Sequence, residues 1–315
     1  MTKYCKPAIS VSDQINVLEQ KGLLFDSCDK TAADRFLSYN CYYRFSGYMF
    51  IFQNRNDAEH SFKNGTDFEQ ILNLYDFDQD LRTLLFVSIG KIEIALKTQI
   101  SNQYAMKYGS HWHLDPSLFK PTAIKKGKDG HSYCKDDYTE FINRLSDNVY
   151  RSEEQSITDY QKTYDDPLVP PVWMCLEIIS IGELSFLYKI LDDSKAPKID
   201  IAKQFGLKST RLLSKWIRCI QIVRNTCAHH GRLWNKSIPI EVLDLAGVLN
   251  PFINKQPTYK TKIYSSICCI QYLLDIIEPE NQFRIELKEL MRKLPADKRG
   301  DMGFVKNWDK ESFWK

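Results

Sequence analysis

The chain has 315 residues and a formal net charge of +3, with 43% hydrophobic, 13% aromatic and 26% charged residues. That composition supports a sizeable, aromatic-rich core and excludes a chain disordered throughout. The charge is too small for a protein that coats a nucleic-acid duplex, because such binding scales with the phosphates neutralised, yet it leaves room for a local basic site.

Helical periodicity dominates from the first element onward. SVSDQINVLEQKGLLF offers Ser and Asp as N-caps, Ile15 and Leu18 at helical spacing, and Gly22 as a stop. TAADRFLSYNCYYRFSGYMFIF reads as a second helix running into an aromatic segment. Ile71, Leu74, Tyr75, Leu81, Leu84, Leu85 and Ile92 then recur at three and four, so one long helix or two joined near Asp78 to Asp80 both fit. From Trp112 to Tyr138 the pattern fails among prolines, glycines and charges, which marks a loop or insertion. Further helices are expected in YTEFINRLSDNVYRSEE, after Pro170 and Pro171, in STRLLSKWIRCIQIVRNTCAHH, in SSICCIQYLLDII and in FRIELKELMRKL. No strand ladder or internal repeat stands out, and the expected class is all-α.

Nine cysteines are scattered (Cys5, Cys28, Cys41, Cys134, Cys175, Cys219, Cys227) apart from the adjacent Cys268 and Cys269. An odd number without CxxC points to reduced thiols in a cytosol. MTKYCKPAIS lacks an apolar signal core, and no apolar run approaches the ~18 residues of a membrane span. The expectation is a soluble cytoplasmic protein with no membrane partner.

The densest polar cluster is CIQIVRNTCAHHGRLWN, residues 219–235. Residues four apart on a helix lie about 40° apart around its axis. Asn225, His229 and Arg232 therefore share one stripe if the helix continues past Gly231, with Arg224 to one side. Trp216, Ile220, Val223 and Cys227 fall on the opposite, core-facing side. Arg218 and Arg232 flank the cluster, and His230 stands beside His229. An imidazole can take or give a proton near neutral pH. A guanidinium can grip a phosphate and steady the charge that develops in phosphoryl transfer, and Asn can hold either. These are parts for metal-free RNA cleavage, in which the ribose 2′-hydroxyl attacks its own phosphate, and no cofactor is called for. Spacing alone is weak: thirteen arginines and six histidines give a second match, Arg55 to His60, in a segment that Asp57 and Glu59 make unfit for phosphate.

RNTCAHHGRLWN resembles the most recognisable segment of the Abi-like abortive-infection proteins (AbiD/AbiF type), within the HEPN superfamily of helical ribonucleases. Three further stretches resemble the same family in the same order: YNCYYRFSGYMFIF, KIEIALKTQISNQYAMKYGSHWHLD and PPVWMCLEIISIGELSFLYKIL. Together they span roughly residues 10–240. The resemblance implies a HEPN-like helical bundle and a metal-independent endoribonuclease acting as an antiphage toxin. It implies that the family's Arg and His fall on Arg224 and His229, with Asn225 accompanying them and His230 also within the loose spacing. It further implies a homodimer that pairs two motifs, and in some relatives a small inhibitory or guiding RNA. The expected organisation is an N-terminal helical and aromatic segment over 1–60, the HEPN-like core over 61–250, and C-terminal helices over 251–315. A non-catalytic RNA-binding or regulatory module of a defence or toxin–antitoxin system is the alternative, and a protein-interaction scaffold a third if the stripe is buried.

Other groups carry weaker signals. His111, His113 and Asp115 in HWHLD lack further metal ligands at suitable spacing and read as structure or RNA contact. Glu177, Glu93 and Arg44 sit among apolar residues and invite structural ion pairs. Arg44 among its aromatics is also a candidate RNA contact, as is Arg218, although such aromatic density more often makes core. The charged C-terminal helix reads as a solvated face. No phosphate-binding Gly-rich loop or GxSxG elbow appears, which argues against a kinase, NTPase or hydrolase.

Overall fold

The computed structural model describes residues 7–27, 30–54, 56–126 and 132–315. Ser10 accepts from the Asp13 amide and caps α1 (Val11–Gln20), which ends before Gly22 turns to φ 88°. The stretch expected as one helix running into aromatics is two helices, α2 (Lys30–Tyr39) and α3 (Tyr42–Met49). Asn40 parts them by returning its side chain to the Phe36 carbonyl at 3.1 Å, a local bond that competes with helix propagation. The bend brings Phe36 against Phe45, ring centroids 4.9 Å apart.

Asp67 opens α4 (Phe68–Tyr108) with a capping box to Gln70, and its 41 residues run unbroken through Asp78–Asp80. The region expected as a loop contains two short 3-10 turns, at Trp112–Leu114 and Pro116–Leu118. It also contains an antiparallel hairpin, β1 (Ala123–Lys126) with β2 (Ser132–Lys135), Ala123 opposite Lys135. Four-residue strands are too short to display the alternation by which a strand is read from sequence. Next come α5 (Asp137–Arg151) and α6 (Gln155–Thr163). The apolar helix expected after Pro171 is also two, α7 (Val172–Ile178) and α8 (Ile181–Ile190), because Ser180 caps α8 in a box with Glu183. α9 (Ala196–Gln204), α10 (Thr210–Ala228), α11 (Ile263–Ile277), α12 (Phe283–Arg292) and α13 (Ala296–Arg299) complete the order.

The fold is all-α, built around α4. Helices α3, α7, α8, α9, α10, α11 and α12 all pack on it, and α11 also lies against α10. Every residue of α11 from Ile263 to Leu274 is buried, and a fully buried Leu or Ile contributes about 1.5–3 kcal/mol. α12 buries Phe283, Leu287, Leu290 and Met291 and leaves its charged side in solvent, as its pattern implies. Cys41, Cys175, Cys219, Cys227, Cys268 and Cys269 are free thiols, whereas Cys5 and Cys28 lie outside the described residues. Among the described residues no helix is long and apolar enough to cross a membrane.

Candidate functional site

Helix α10 is anchored by the side its sequence assigns to the core. Trp216, Ile220, Val223 and Cys227 are all buried, and the Trp216 indole donates to the Val242 carbonyl at 2.8 Å. Burial pushes the Cys227 thiol up to about 12, so it stays protonated and is no nucleophile. The helix stops at Ala228. His230 takes φ 54°, its amide bonds the Cys227 carbonyl at 2.9 Å, and the Gly231 amide bonds the Thr226 carbonyl at 2.7 Å. This is a Schellman ending with His230 in the left-handed position usually given to glycine. A Cβ on Gly231 would stand 3.2 Å from Thr226 Cγ2 and 3.3 Å from its carbonyl, so a larger residue there would have to push Thr226 back by a few tenths of an ångström.

The ending corrects one expectation. Arg232 does not extend the Asn225–His229 stripe, because no helix passes Gly231. Its guanidinium instead donates to the Gly47 carbonyl on α3 and lies 6.0 Å from the Tyr48 ring. Arg44 on α3 donates in the other direction, to the His230 carbonyl. Two arginines thus clasp α3 and the end of the motif, each using part of a guanidinium that has five N–H donors.

Beneath the clasp is a group that sequence reading missed. Asp78 on α4 is fully buried and accepts from the Leu233 amide at 3.2 Å, the Trp234 amide at 2.5 Å and the Tyr48 hydroxyl at 2.6 Å. Arg82, one turn along and also buried, pairs with it at 2.5 Å and reaches the Tyr48 hydroxyl at 3.2 Å. Burial pushes the Asp78 carboxyl upward, and the Tyr48 hydroxyl, Arg82 and the two amides oppose that push. The carboxylate fixes the chain just after the histidines, and its charge is neutralised on the spot. In sequence it resembles any acid on a wet helix face; only the long-range amides reveal it.

The expected site residues divide into two groups. Arg224 is half-buried with its guanidinium 5.4 Å above the Phe86 ring of α4. Phe86 lines a cleft of about 660 Å³ with Arg44, Arg82, Tyr75 and His230, and Arg224 reaches that cleft's wall through this ring. His229 lies five positions after Arg224, which places them about 140° apart around α10. His229 is exposed and shares its stripe with half-buried Asn225 and with exposed Arg218, whose guanidinium bonds Gln221 at 2.8 Å. The stripe is not buried, which removes the condition that favoured a scaffold.

The remaining candidates lie elsewhere. Glu177 faces outward, because the seven-residue α7 turns Val172, Cys175 and Leu176 inward, so no buried partner is required of it. Glu93 does pair, with Lys97 at 3.4 Å. Phe45 and Tyr48 are core, while Tyr39 and Tyr43 are exposed. His113 is buried against Cys175 Sγ at 3.9 Å, and that burial pulls its imidazole down to about 4. His111 bonds Ser110 Oγ at 2.9 Å, and Asp115 caps the next turn by accepting from the Ser117 amide. Among the described residues no group of three or more His, Cys, Asp or Glu side chains converges as a metal set. In the second Arg-to-His match, Arg55 lies outside the described residues.

The contacts explain why distant segments accompany the motif: α3 clasps it, α4 pins it through Asp78, and α8 packs along α10. No curated protein and no solved structure matches the chain. The model of the family described as Abi-like protein matches residues 35–235, which run from α2 to the residue after the pinned Trp234. Since that match spans well over half of the 315 residues, the chain belongs to the Abi-like protein family.

Proposed function

We propose that this Abi-like protein is a HEPN-type endoribonuclease of abortive-infection defence, a cytoplasmic toxin that cleaves RNA without a metal ion. The observation that carries the reading is the end of α10: Arg224, Asn225 and His229 are presented by a helix packed against the core, and the chain just after it is fixed by Asp78 and two arginines. Asp78, the acid that holds the chain after the histidines, is enclosed and paired with Arg82, so it does not repel phosphate. Family membership supports the defence role.

In the proposed reaction His229 takes the proton of a ribose 2′-hydroxyl, whose oxygen attacks the adjacent phosphorus. The O2′–P bond forms and the P–O5′ bond breaks. A proton returns to the departing 5′-oxygen, and the products are a 2′,3′-cyclic phosphate and a 5′-hydroxyl. Arg224 steadies the charge on the phosphate oxygens, Asn225 orients the imidazole, and His230 with Arg44 flanks the scissile phosphate from the cleft. Because Arg224 and His229 diverge on one helix, the complete pair is assembled from two chains. The exposed Phe86 and Val87 beside Arg224 supply apolar surface for the second copy.

The same divergence favours a second reading, a non-catalytic module that holds a small RNA on a single chain. The test is incubation of RNA with EDTA and the parent, Arg224→Ala or His229→Ala. Cyclic-phosphate ends that vanish in both variants support the enzyme, and RNA bound but uncut by the parent leaves the binding module.

A further inference from the structure

A second groove, about 970 Å³, lies between α5, α8 and α10 and meets the arrangement above at Arg218. Four cations line it, Arg144, Lys189, Lys215 and Arg218, against two carboxylates, Glu140 and Glu183. Both carboxylates are engaged. Glu140 pairs with Arg144 at 2.5 Å, while Glu183 closes the α8 capping box and accepts from Asn148 at 2.6 Å. Lys189, Lys215 and Arg218 are exposed and have no ion pair to a carboxylate among the described residues. Phe186 lies between two of the cations, 5.5 Å from the Arg144 guanidinium and 6.0 Å from Lys189 Nζ. The four cations and two carboxylates leave a formal +2 in one groove, against +3 for the whole chain, which is a concentration of charge.

The groove leads to the motif. From Arg218 to Asn225 is seven residues and from Asn225 to His229 four, so all three lie within one stripe of α10. From Lys215 to His229 the stripe covers about 20 Å. Helix α10 contains no Asp or Glu. At Lys215 the character changes, since Lys215 also lines the neighbouring hollow, which Arg211, Glu241 and Asp244 share. The positive run therefore has an end at Lys215 and a destination at His229.

We infer that this groove is a phosphate track for single-stranded RNA, holding nucleotides flanking the scissile bond on Lys189, Lys215 and Arg218 while His229 reaches the 2′-hydroxyl. The inference rests on the reading of α10 as an RNA-cleaving helix. A single strand fits better than a duplex because the stripe is narrow and Phe186 offers a ring to an unstacked base.

The test uses a 2′-O-methyl oligonucleotide, which lacks the attacking hydroxyl and cannot be cut, titrated by fluorescence anisotropy across a salt series. The parent is compared with Lys189→Ala/Lys215→Ala/Arg218→Ala. A second variant, Lys162→Ala/Lys203→Ala/Lys293→Ala, removes equal charge from exposed lysines that do not line the groove. The groove variant is expected to lose roughly tenfold or more in affinity and to flatten the salt slope by about two, from three phosphate contacts at about 0.7 each. The charge control should match the parent. Equal losses in both variants, unchanged binding by the groove variant, or a parent that binds anionic vesicles but no oligonucleotide would each overturn the track. If the groove variant weakens binding while the parent cuts no RNA, the track stands and the cleavage reading falls.

Discussion

The Arg44 guanidinium on α3 donates to the backbone carbonyl of His230, 186 positions further along the chain. Arg232 returns the contact to Gly47, so α3 and the motif's final turn hold each other by side chain to main chain. Both bonds lie at the surface, where a charged donor contributes about 1 kcal/mol after solvent competition. Arg44→Met and Arg232→Met should each lower urea stability by about that amount. Because the two bonds lock one junction, the double variant should depart from additivity by about 0.5 kcal/mol or more. Additive losses, or none, would show two unrelated surface contacts.

Asp78 is the most exacting position near the site. Asp78→Asn leaves Arg82 buried without its counter-charge and should cost about 3–5 kcal/mol. Tyr48→Phe removes one hydrogen bond to the same carboxylate and should cost about 1 kcal/mol. Urea denaturation of the two variants gives the ranking directly. A mild Asp78→Asn would mean that the 233–234 turn is held by other contacts.

His230 occupies a conformation in which glycine is the more stable residue. His230→Gly should therefore raise stability, by up to about 1 kcal/mol, while lowering RNA cleavage if its imidazole works from the cleft. Thermal melts and cleavage rates on the same preparation read both effects. A variant more stable and equally active would leave His229 as the sole catalytic imidazole.

These positions also show what the chain discloses before folding. The apolar side of α10 follows from spacing, and Ser10 and Gly22 mark helix ends by their own chemistry, whereas spacing leaves α4 open as one helix or two. The breaks at Asn40 and Ser180 were legible in kind, as capping residues, yet apolar residues on both sides masked them. The end of α10 stays open in the sequence, because His at a left-handed position carries no signal that glycine would. Asp78 was invisible because its partners, the Leu233 and Trp234 amides, lie about 155 positions away and belong to the backbone. Sequence placed Arg224 beside the Asn225 stripe, and only the ring of Phe86 shows to which side its guanidinium turns.

His113 supplies a pH-dependent contribution remote from the site. Burial, with the charge of neighbouring His111 second, pulls its imidazole down to about 4, whereas the unfolded value is about 6.5. Between those values the unfolded chain binds a proton that the folded chain refuses. The contribution is fully present above about pH 6.5 and lost as pH falls toward 4, up to about 3 kcal/mol. In urea melts across that window His113→Gln should show a shallower pH slope than the parent, whatever its baseline stability. An unchanged slope would assign the acid sensitivity to other groups.

In the proposed enzyme Arg224 of one chain completes the site with His229 of another. The most direct measurement mixes two inactive variants, Arg224→Ala and His229→Ala, unfolding and refolding them together at equal concentration. In a symmetric dimer half of the pairs are mixed, and each mixed pair rebuilds one of its two sites, so about a quarter of parental RNA cleavage should return. Cleavage that stays at the level of the separate variants would contradict the shared site and leave Arg224 and His229 to act, if at all, within one chain.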